Sequence, residues 1–254
     1  MSGSCPGEVV LNASLADTYL ADLVARLTDL RNTAAEPLDR AAEAMAACIR
    51  RDGLIYIFGS GHSHMLAEEA HFRAGGLAAT VPMLAAATML HEGAAVGTKL
   101  ERLPGLAPTL LARYPVGAND VMIVVSTSGV NAAPVEAAMF GKERGATVIA
   151  ITSESYSLAA ANGRTRIADL ADIVLDNAAP PGDATQEAGA EGMRVGPVST
   201  VIGAALLNAA LAETARRLIE AGDRAPVYLS ANMPGAAARN EDLIRRYRPR
   251  NPHL

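Results

Sequence analysis

Two short runs of glycine and hydroxyl side chains have the composition of phosphate-binding turns. The first run is Gly59-Ser60-Gly61-His62-Ser63, and the second is Ser126-Thr127-Ser128-Gly129-Val130-Asn131. Each run follows a short apolar segment and precedes a segment of helix length. Glycine lets the backbone turn tightly and approach a ligand closely, and the amides at a helix N-terminus attract an anion. The two runs therefore predict an anion-binding site.

A third hydroxyl pair, Thr152-Ser153, follows another apolar segment. Ligands of an open parallel sheet bind beyond the carboxyl ends of its strands, so we expect the three turns to face one edge. His64 stands where a GxGxxG dinucleotide motif would need its third glycine, and the lysine of a nucleoside-triphosphate loop is missing after the glycines. Hydroxyls and amides without a lysine suit a monoester phosphate, such as that of a sugar phosphate.

Glu69 is the first candidate for proton transfer. At helical spacing it shares one face with Met65 and Phe72, so the pattern places a carboxylate in an apolar stripe. A buried carboxylate holds its proton more tightly, which suits a base working near neutral pH. The alternative is an ion pair with Arg73, four residues further on.

His91 and Glu92 are the second candidates, because they follow the second apolar segment and can both transfer protons. Their alternative role is to cap the next segment. His64, Glu68 and His71 could share a helix face and bind a metal. The chain has no HExxH motif there, which favours a polar helix face. We therefore expect neither a metal nor a cofactor.

Further acidic groups lie in a glycine-rich segment near the end of the predicted sheet. Asp183, Glu187 and Glu191 are reserve candidates for the site, and the segment that carries them could close over the ligand as a lid. His62 lies inside the first turn, so contact with the ligand is the favoured interpretation for it.

Apolar patterning predicts an α/β fold with a five-stranded, parallel, doubly wound sheet. Short, wholly apolar runs separated by segments of helix length are typical of a parallel sheet covered on both faces. The predicted strands are residues 54–58, 80–84, 121–125, 148–151 and 173–175. The predicted connecting helices are residues 63–74, 106–114, 132–145, 156–161 and 200–221.

Four regions are predicted along the chain. They are a disordered leader at 1–10, a helical hairpin at 11–52 packed on the main domain, the sheet domain at 53–225 and a helical tail at 226–254. The hairpin would expose apolar surface, which favours a homodimer or homotetramer. The tail carries five arginines, which are interpreted as a solvated helix at a subunit interface rather than an anion site.

Composition excludes several classes of protein. The 254 residues are 50% hydrophobic and 19% charged, with a net charge of −5, which disfavours disorder and a nucleic-acid partner. Cys5 and Cys48 form no disulfide framework or zinc motif, so a cytoplasmic location fits best. The apolar stretch 201–212 is shorter than the roughly 20 residues that cross a bilayer, so we predict a buried helix and no membrane partner.

Three segments resemble the sugar isomerase (SIS) domain family. They are Ile57-Phe58-Gly59-Ser60-Gly61-His62-Ser63, Val125-Ser126-Thr127-Ser128-Gly129 and Gly196-Pro197-Val198-Ser199-Thr200. The segments Gly61–Glu69 and Leu90–Ala94 look like a poorly characterised branch of that family, related to sedoheptulose-7-phosphate isomerase and N-acetylmuramic acid 6-phosphate etherase. The resemblance implies a flavodoxin-like sheet, a dimer or tetramer, and phosphosugar binding.

The resemblance also implies roles for individual residues. Ser63, Ser126 and Ser128 would hold the phosphate, and Ser199 and Thr200 would lie beside the sugar. Asn131 replaces the serine or threonine that is common in the family isomerases. Sedoheptulose-7-phosphate isomerases place a catalytic histidine on the last long helix, which has none here, so their mechanism is not carried over. The complete predicted binding set is Gly59, Ser60, Gly61, His62, Ser63, Ser126, Thr127, Ser128, Asn131, Ser199 and Thr200.

The expected function is binding of a small sugar phosphate, with aldose–ketose isomerisation by acid–base proton transfer as the first hypothesis. A phosphosugar lyase or etherase, or a deaminase of an amino-sugar phosphate, is the close alternative. The alternative from another class is a non-catalytic phosphosugar sensor. The leading hairpin lacks the basic stripe of a DNA-binding unit, which favours the enzyme.

Overall fold

The computed structural model describes residues 14–189 and 192–254. The predicted leader at 1–10, Cys5 and the reserve candidate Glu191 lie outside the described residues. Within those ranges, the chain forms the α/β fold that the apolar pattern predicts, with a parallel sheet between layers of helices.

The central sheet has five parallel strands in the order β2-β1-β3-β4-β5. The strands are β1 Ile55–Gly59, β2 Thr80–Pro82, β3 Val121–Val125, β4 Thr147–Thr152 and β5 Ile173–Asp176. Every residue of β1 and β3 is buried, because helices cover both faces of the sheet. The five predicted strands are confirmed.

The register of the sheet brings two of the hydroxyl-rich turns together. Ile55 pairs with Val121 and Gly59 pairs with Val125, so β1 and β3 end at the same level. Strand order reverses between these two neighbours, because β2 lies on one side of β1 and β4 on the far side of β3. In an open α/β sheet this is the position where ligands bind.

Two helices precede the sheet, as predicted. The first, α1, spans Leu15–Thr33 and begins where the Ser14 hydroxyl accepts a hydrogen bond from the Asp17 amide at 3.1 Å. The second, α2, spans Ala35–Arg50 and buries an apolar face that includes Met45 and Ile49. The buried side chains of α2 and the sheet form one continuous core. The domain boundaries within the chain remain a prediction.

The remaining helices connect and flank the strands. They are α3 Met65–Ala70, α4 Ala94–Leu100, α5 Leu106–Leu111, α6 Ala132–Glu143, α7 Glu154–Ala161, α8 Ile167–Leu170, α9 Ser199–Glu220 and α10 Ala236–Tyr247. Helix α9 packs on α2 and α3 at one face of the sheet, and α6 packs with α5 and α8 at the other. This arrangement is doubly wound.

The segment after β1 is less helical than its sequence suggests. In place of one helix over 63–74, a 3₁₀ turn at Gly61–His64 leads into α3, which ends at Ala70. Helix α4 was not predicted, because most of its residues are exposed and it has no apolar stripe. Helix α8 is a single turn and was also not predicted.

The segment expected to be a lid contains an antiparallel hairpin. Its strands are β6 Ala184–Glu187 and β7 Arg194–Pro197. The Tyr19 hydroxyl of α1 donates to the Pro197 carbonyl at 2.7 Å, which fastens the hairpin to the first helix. A glycine-rich sequence here thus forms a strand pair packed on α1.

The basic tail is bound to the rest of the fold. Arg246 and Arg250 form ion pairs with Asp52, at 2.9 Å and 3.2 Å, and Arg246 holds the pKa of that carboxyl below its usual value. Arg239 donates to the carbonyls of Val227 and Ala225. The predicted apolar stretch 201–212 is part of α9. Across residues 14–189 and 192–254, the helices lack the combination of length and apolar character that would span a membrane.

Candidate functional site

A cavity of about 440 Å³ lies at the carboxyl ends of β1 and β3. Its walls contain eight of the predicted binding residues, namely Ser60, Gly61, His62, Ser63, Ser126, Thr127, Ser128 and Asn131. The other lining residues are Met89, Leu90, Ala94, Gly97, Thr98, Glu101, Tyr156 and Asp183. The structure therefore brings together the first two turns that the sequence singled out.

The first turn is made possible by a glycine at the end of β1. A Cβ atom on Gly59 would lie 2.4 Å from the carbonyl oxygen of Ser63, so a larger residue would block the turn. The Ser63 amide donates to the Ser60 carbonyl at 3.0 Å and closes it. Gly59 itself is not among the described lining residues. Its role is to let the backbone fold back so that Ser60 and Ser63 reach the cavity.

The second turn leads from β3 into α6. The Ser126 hydroxyl accepts a hydrogen bond from the Gly129 amide at 3.1 Å, which leaves the hydroxyl proton of Ser126 for a ligand. Gly129 has φ 62°, a left-handed conformation that favours glycine. Asn131 caps α6, but its side-chain amide donates to Glu101 Oε1 at 2.9 Å. Among the described contacts, that side chain makes no capping bond to α6.

Glu101 is the carboxylate that contacts both turns of this cavity, and the sequence did not reveal it. Its Oε2 accepts a hydrogen bond from the Ser60 hydroxyl at 2.9 Å, while its Oε1 accepts the bond from Asn131. Its side chain is only 16% exposed. The backbone carbonyl of Glu101 also accepts a bond from the Ala133 amide in the first turn of α6 at 2.9 Å. Glu101 therefore joins the two turns.

The position of Glu101 explains why sequence patterns missed it. It follows α4, an exposed helix without apolar periodicity, and it lies far along the chain from both of its partners. The one available signal was an acidic residue in the connection between β2 and β3, the two strands on either side of β1. That connection also holds several other charged residues, so the signal is not specific.

The third hydroxyl pair is turned into the protein. Thr152 and Ser153 are completely buried. The Thr152 hydroxyl donates to the Thr127 carbonyl at 3.2 Å, and the Ser153 hydroxyl donates to the Ala179 carbonyl at 2.7 Å. Neither is among the described lining residues. The three turns leave one edge of the sheet, as expected, but only the first two line the cavity, and the third supports them from within the protein.

Ser199 and Thr200 also lie outside the described lining of the cavity. Asp183 Oδ2 accepts a bond from the Ser199 hydroxyl at 2.6 Å, and Oδ1 accepts from the backbone amides of Val198 and Ser199. The carboxylate thereby caps the start of α9. In this arrangement Asp183, a reserve candidate, reaches the cavity, while Ser199 serves the helix cap.

Glu69 is placed away from the cavity. It forms an ion pair with Arg73, the alternative foreseen from the sequence, and its Oε1 accepts a bond from Asn208 of α9 at 2.9 Å. Its side chain is 36% exposed rather than buried. Because the carboxylate is bound by Arg73 and by Asn208 and is not among the described lining residues of the cavity, we do not include Glu69 in the candidate site.

His91 and Glu92 are exposed and follow Leu90, which lines the cavity. The His91 ring lies 5.6 Å from the His64 ring, edge to face. His71, the third member of the metal pattern considered from sequence, faces elsewhere, with its Nε2 3.2 Å from the His253 carbonyl oxygen. Burial lowers the pKa of His71. The trio of His64, Glu68 and His71, which the sequence analysis considered and disfavoured, is therefore not assembled.

Solved structures of similar backbone include a phosphoheptose isomerase from Neisseria gonorrhoeae. It is 21% identical, with a TM-score of 0.48, and the match covers 77% of this chain and 94% of that one. The sugar isomerase domain of an RpiR transcription factor from Sphaerobacter thermophilus is 19% identical, with a TM-score of 0.48. That match covers 93% of this chain and 99% of the other.

Sequence relatives are far more similar. A UPF0309 protein of Brucella anthropi is 55% identical over 240 residues, covering 94% of this chain and 99% of the relative. A UPF0309 protein of Brucella canis is 52% identical over 240 residues, which again cover 94% of this chain and 99% of the relative. Residues 18–153, more than half of the chain, match the SIS domain. The chain therefore belongs to the SIS domain family and, within it, to the UPF0309 proteins.

Proposed function

We propose that this protein binds a sugar phosphate in the cavity between β1 and β3 and catalyses aldose–ketose isomerisation with Glu101 as the acid–base group. The observation that carries the proposal is the joining of both hydroxyl-rich turns by one shielded carboxylate, through Ser60 and Asn131. A cavity of about 440 Å³ has the volume of a small-molecule site. Membership of the SIS domain family supports the same substrate class.

The phosphate is assigned to the second turn. Ser60 and Asn131 already donate to Glu101, so they orient the carboxylate. The hydroxyls of Ser126 and Ser128 remain for an anion, and the positive end of the α6 dipole favours a negative charge there. Lysine and arginine are absent from the described lining, so hydroxyls, amides and the helix dipole must hold the charge. Repulsion by Glu101 keeps the phosphate away from it and directs the sugar towards the carboxylate.

The Ser60 hydroxyl and the Asn131 amide donate to the Glu101 carboxylate, and Arg102 Nη1 forms an ion pair with its Oε1 at 3.5 Å. These contacts hold Glu101 in one orientation, which is what a proton-transfer group needs. In the proposed reaction, its carboxylate removes the proton from the carbon next to the sugar carbonyl and leaves an enediolate. The same group returns the proton to the former carbonyl carbon, while the hydroxyl proton moves between the two oxygens. A carboxyl group is a suitable acid and base for this exchange.

The experiment measures binding and turnover on the same samples. A thermal-shift panel compares aldose, ketose and amino-sugar phosphates with the matching free sugars, because a ligand of the folded state raises the melting temperature. Ser128→Ala tests the phosphate contact, and Ser230→Ala, an exposed serine outside the cavity lining, is the matched control. Proton NMR in D₂O then follows incorporation of deuterium next to the carbonyl of each stabilising sugar phosphate.

The proposal expects stabilisation by one or more sugar phosphates, a smaller shift for Ser128→Ala and deuterium incorporation that requires Glu101. Stabilisation without deuterium exchange would contradict the isomerase activity and would support a non-catalytic sensor of the same ligand. If free sugars stabilise the protein and sugar phosphates do not, the phosphate assignment is wrong.

Self-association and a cytoplasmic location are part of the same proposal. Leu20 and Val24 of α1 are 61% and 65% exposed, an apolar surface that a second subunit would cover. Cys48 is buried with a free thiol, and burial raises its pKa to about 12, so it is not a reactive thiolate. Light scattering on an eluting size-exclusion peak should report a dimer or tetramer. A monomer at all concentrations would contradict the proposed self-association.

A further inference from the structure

His64, Glu68 and His91 form a cluster that the proposed reaction does not use. One potential ligand atom from each residue lies within 4.8 Å of those of the other two. His64 and Glu68 are one helical turn apart, whereas His91 comes from the loop that follows β2. The fold therefore brings together two imidazoles and a carboxylate from separate segments. These are the side chains that zinc and related ions bind most often.

His64 is prepared to act as a ligand. Its side chain is 5% exposed, and its Nδ1 is hydrogen-bonded to the Gly61 carbonyl. A carbonyl accepts only, so Nδ1 carries the proton and the lone pair of a neutral ring is on Nε2. That Nε2 lies 3.8 Å from Glu68 Oε1. A bond from the second ring nitrogen to a backbone carbonyl is the usual way in which proteins orient a metal-binding histidine.

A simple ion pair is the competing explanation for two of the three residues. A protonated His64 could face Glu68 without any metal. The ion pair does not explain the position of His91. Its ring packs edge to face on the His64 ring at 5.6 Å, although the His91 side chain is exposed. With Nε2 unprotonated, His64 and Glu68 present two acceptors to each other, and a cation between them would satisfy both.

We propose that His64 Nε2, the Glu68 carboxylate and a ring nitrogen of His91 bind a divalent transition-metal ion of the zinc class. Three protein ligands leave a fourth position of a tetrahedral ion for water or another ligand. The neighbours of two ligands along the chain, Ser63 and Leu90, line the cavity, so the ion lies beside the proposed substrate site. This site is independent of the isomerase proposal, because Glu101 and the second turn are not among its ligands.

The test uses the full-length protein stripped of metal by a chelator. Co²⁺ is titrated while the visible absorption of a tetrahedral site is recorded, and Zn²⁺ then competes for it. Bound Zn²⁺ is counted by elemental analysis. Because His64 is buried and its loss could disturb folding, the informative variants are Glu68→Gln and His91→Ala, both at exposed side chains. The matched controls are Glu92→Gln and His62→Ala, exposed residues outside the cluster.

The expected result is one metal ion per chain in the wild type and in both controls, with affinity reduced at least about tenfold in Glu68→Gln and His91→Ala. Circular dichroism of each variant shows that folding is retained. Absence of a tetrahedral Co²⁺ spectrum in the folded wild type overturns the proposal, as does equal affinity in all variants. Sugar-phosphate binding to the stripped protein is measured separately, so failure here leaves the phosphate site untouched.

Discussion

The turns after β3 and after β4 leave the same edge of the sheet and carry the same kinds of side chain, but their surroundings differ. Ser126 and Ser128 line the cavity, and the Ser126 hydroxyl proton remains available. Thr152 and Ser153 are fully buried, and their hydroxyls donate to the carbonyls of neighbouring loops. A pair of hydroxyls after a strand is thus compatible with a ligand site or with internal support.

Strand order accounts for the difference. The turn after β3 lies where the order reverses, beside the turn after β1, and Glu101 from the connection between β2 and β3 bonds to both turns at the cavity. The turn after β4 is flanked by β3 and β5 and is covered by the loop after β5, where Ala179 accepts the Ser153 bond. Residue type alone therefore gives an incomplete criterion, and the position of the strand in the sheet supplies the rest.

The largest expected effect is the loss of turnover when Glu101, in the cavity beside the turn after β3, is replaced. Glu101→Gln keeps groups that can bond to Ser60 and Asn131 but removes the basic carboxylate. Turnover should fall about 10²- to 10⁴-fold. Sugar-phosphate affinity should stay the same or rise, because a negative charge near the phosphate is lost. Initial rates and calorimetric titration measure the two effects.

Glu143→Gln, an exposed carboxylate at the far end of α6, is the control for Glu101 and should behave as the wild type. Full activity in Glu101→Gln together with loss of activity in Glu92→Gln would contradict this assignment and return proton transfer to Glu92, a candidate from the sequence.

At Gly129, the turn after β3 comes close to Thr152 in the turn after β4. A Cβ atom there would lie 2.9 Å from Thr152 Oγ1 and 3.2 Å from an Ile167 side-chain carbon, at a φ of 62°. Gly129→Ala should therefore lower the free energy of unfolding by about 1–3 kcal/mol and also weaken sugar-phosphate binding. Urea unfolding and titration measure both. Gly163→Ala, also at positive φ but in open space, separates backbone strain from the clash.

Ser128→Ala probes the ligand side alone. Loss of one hydroxyl contact to a charged phosphate should weaken binding by about tenfold or more. The free energy of unfolding should barely change, because Ser128 is only partly buried. Calorimetry and urea unfolding of one preparation give both values. A stability loss with unchanged affinity would reverse the roles assigned to the two turns.

Ser153→Ala is the complementary test, and it should have the smallest effect on sugar-phosphate affinity. The Ser153 hydroxyl donates to Ala179 and accepts from the Tyr156 amide at the start of α7. Its removal should lower the free energy of unfolding by about 1–2 kcal/mol. Affinity for the sugar phosphate should remain within twofold of the wild type, a limit on the order of 0.4 kcal/mol. A larger affinity loss would mean that the buried turn takes part in binding.

The sheet and the two turns could be predicted because their signals are local. Uninterrupted apolar runs fix the strands, and Gly59 and Gly129 mark the two turns. Glu101 could not be predicted, because its partners are set by how β1 and β3 pair and by an exposed helix without a pattern. The proximity of His64 and His91 depends on the same tertiary packing. Helical spacing pointed instead to His71, because spacing contains no information about the loop after β2.

A crystal structure of the complex with the sugar phosphate that stabilises the protein most would test the central claim directly. The account predicts the phosphorus atom beside the Ser126 and Ser128 hydroxyls and the N-terminus of α6. It also predicts the sugar carbonyl and the adjacent carbon facing Glu101. A phosphate bound outside this cavity, or one bound with the sugar pointing away from Glu101, would contradict it.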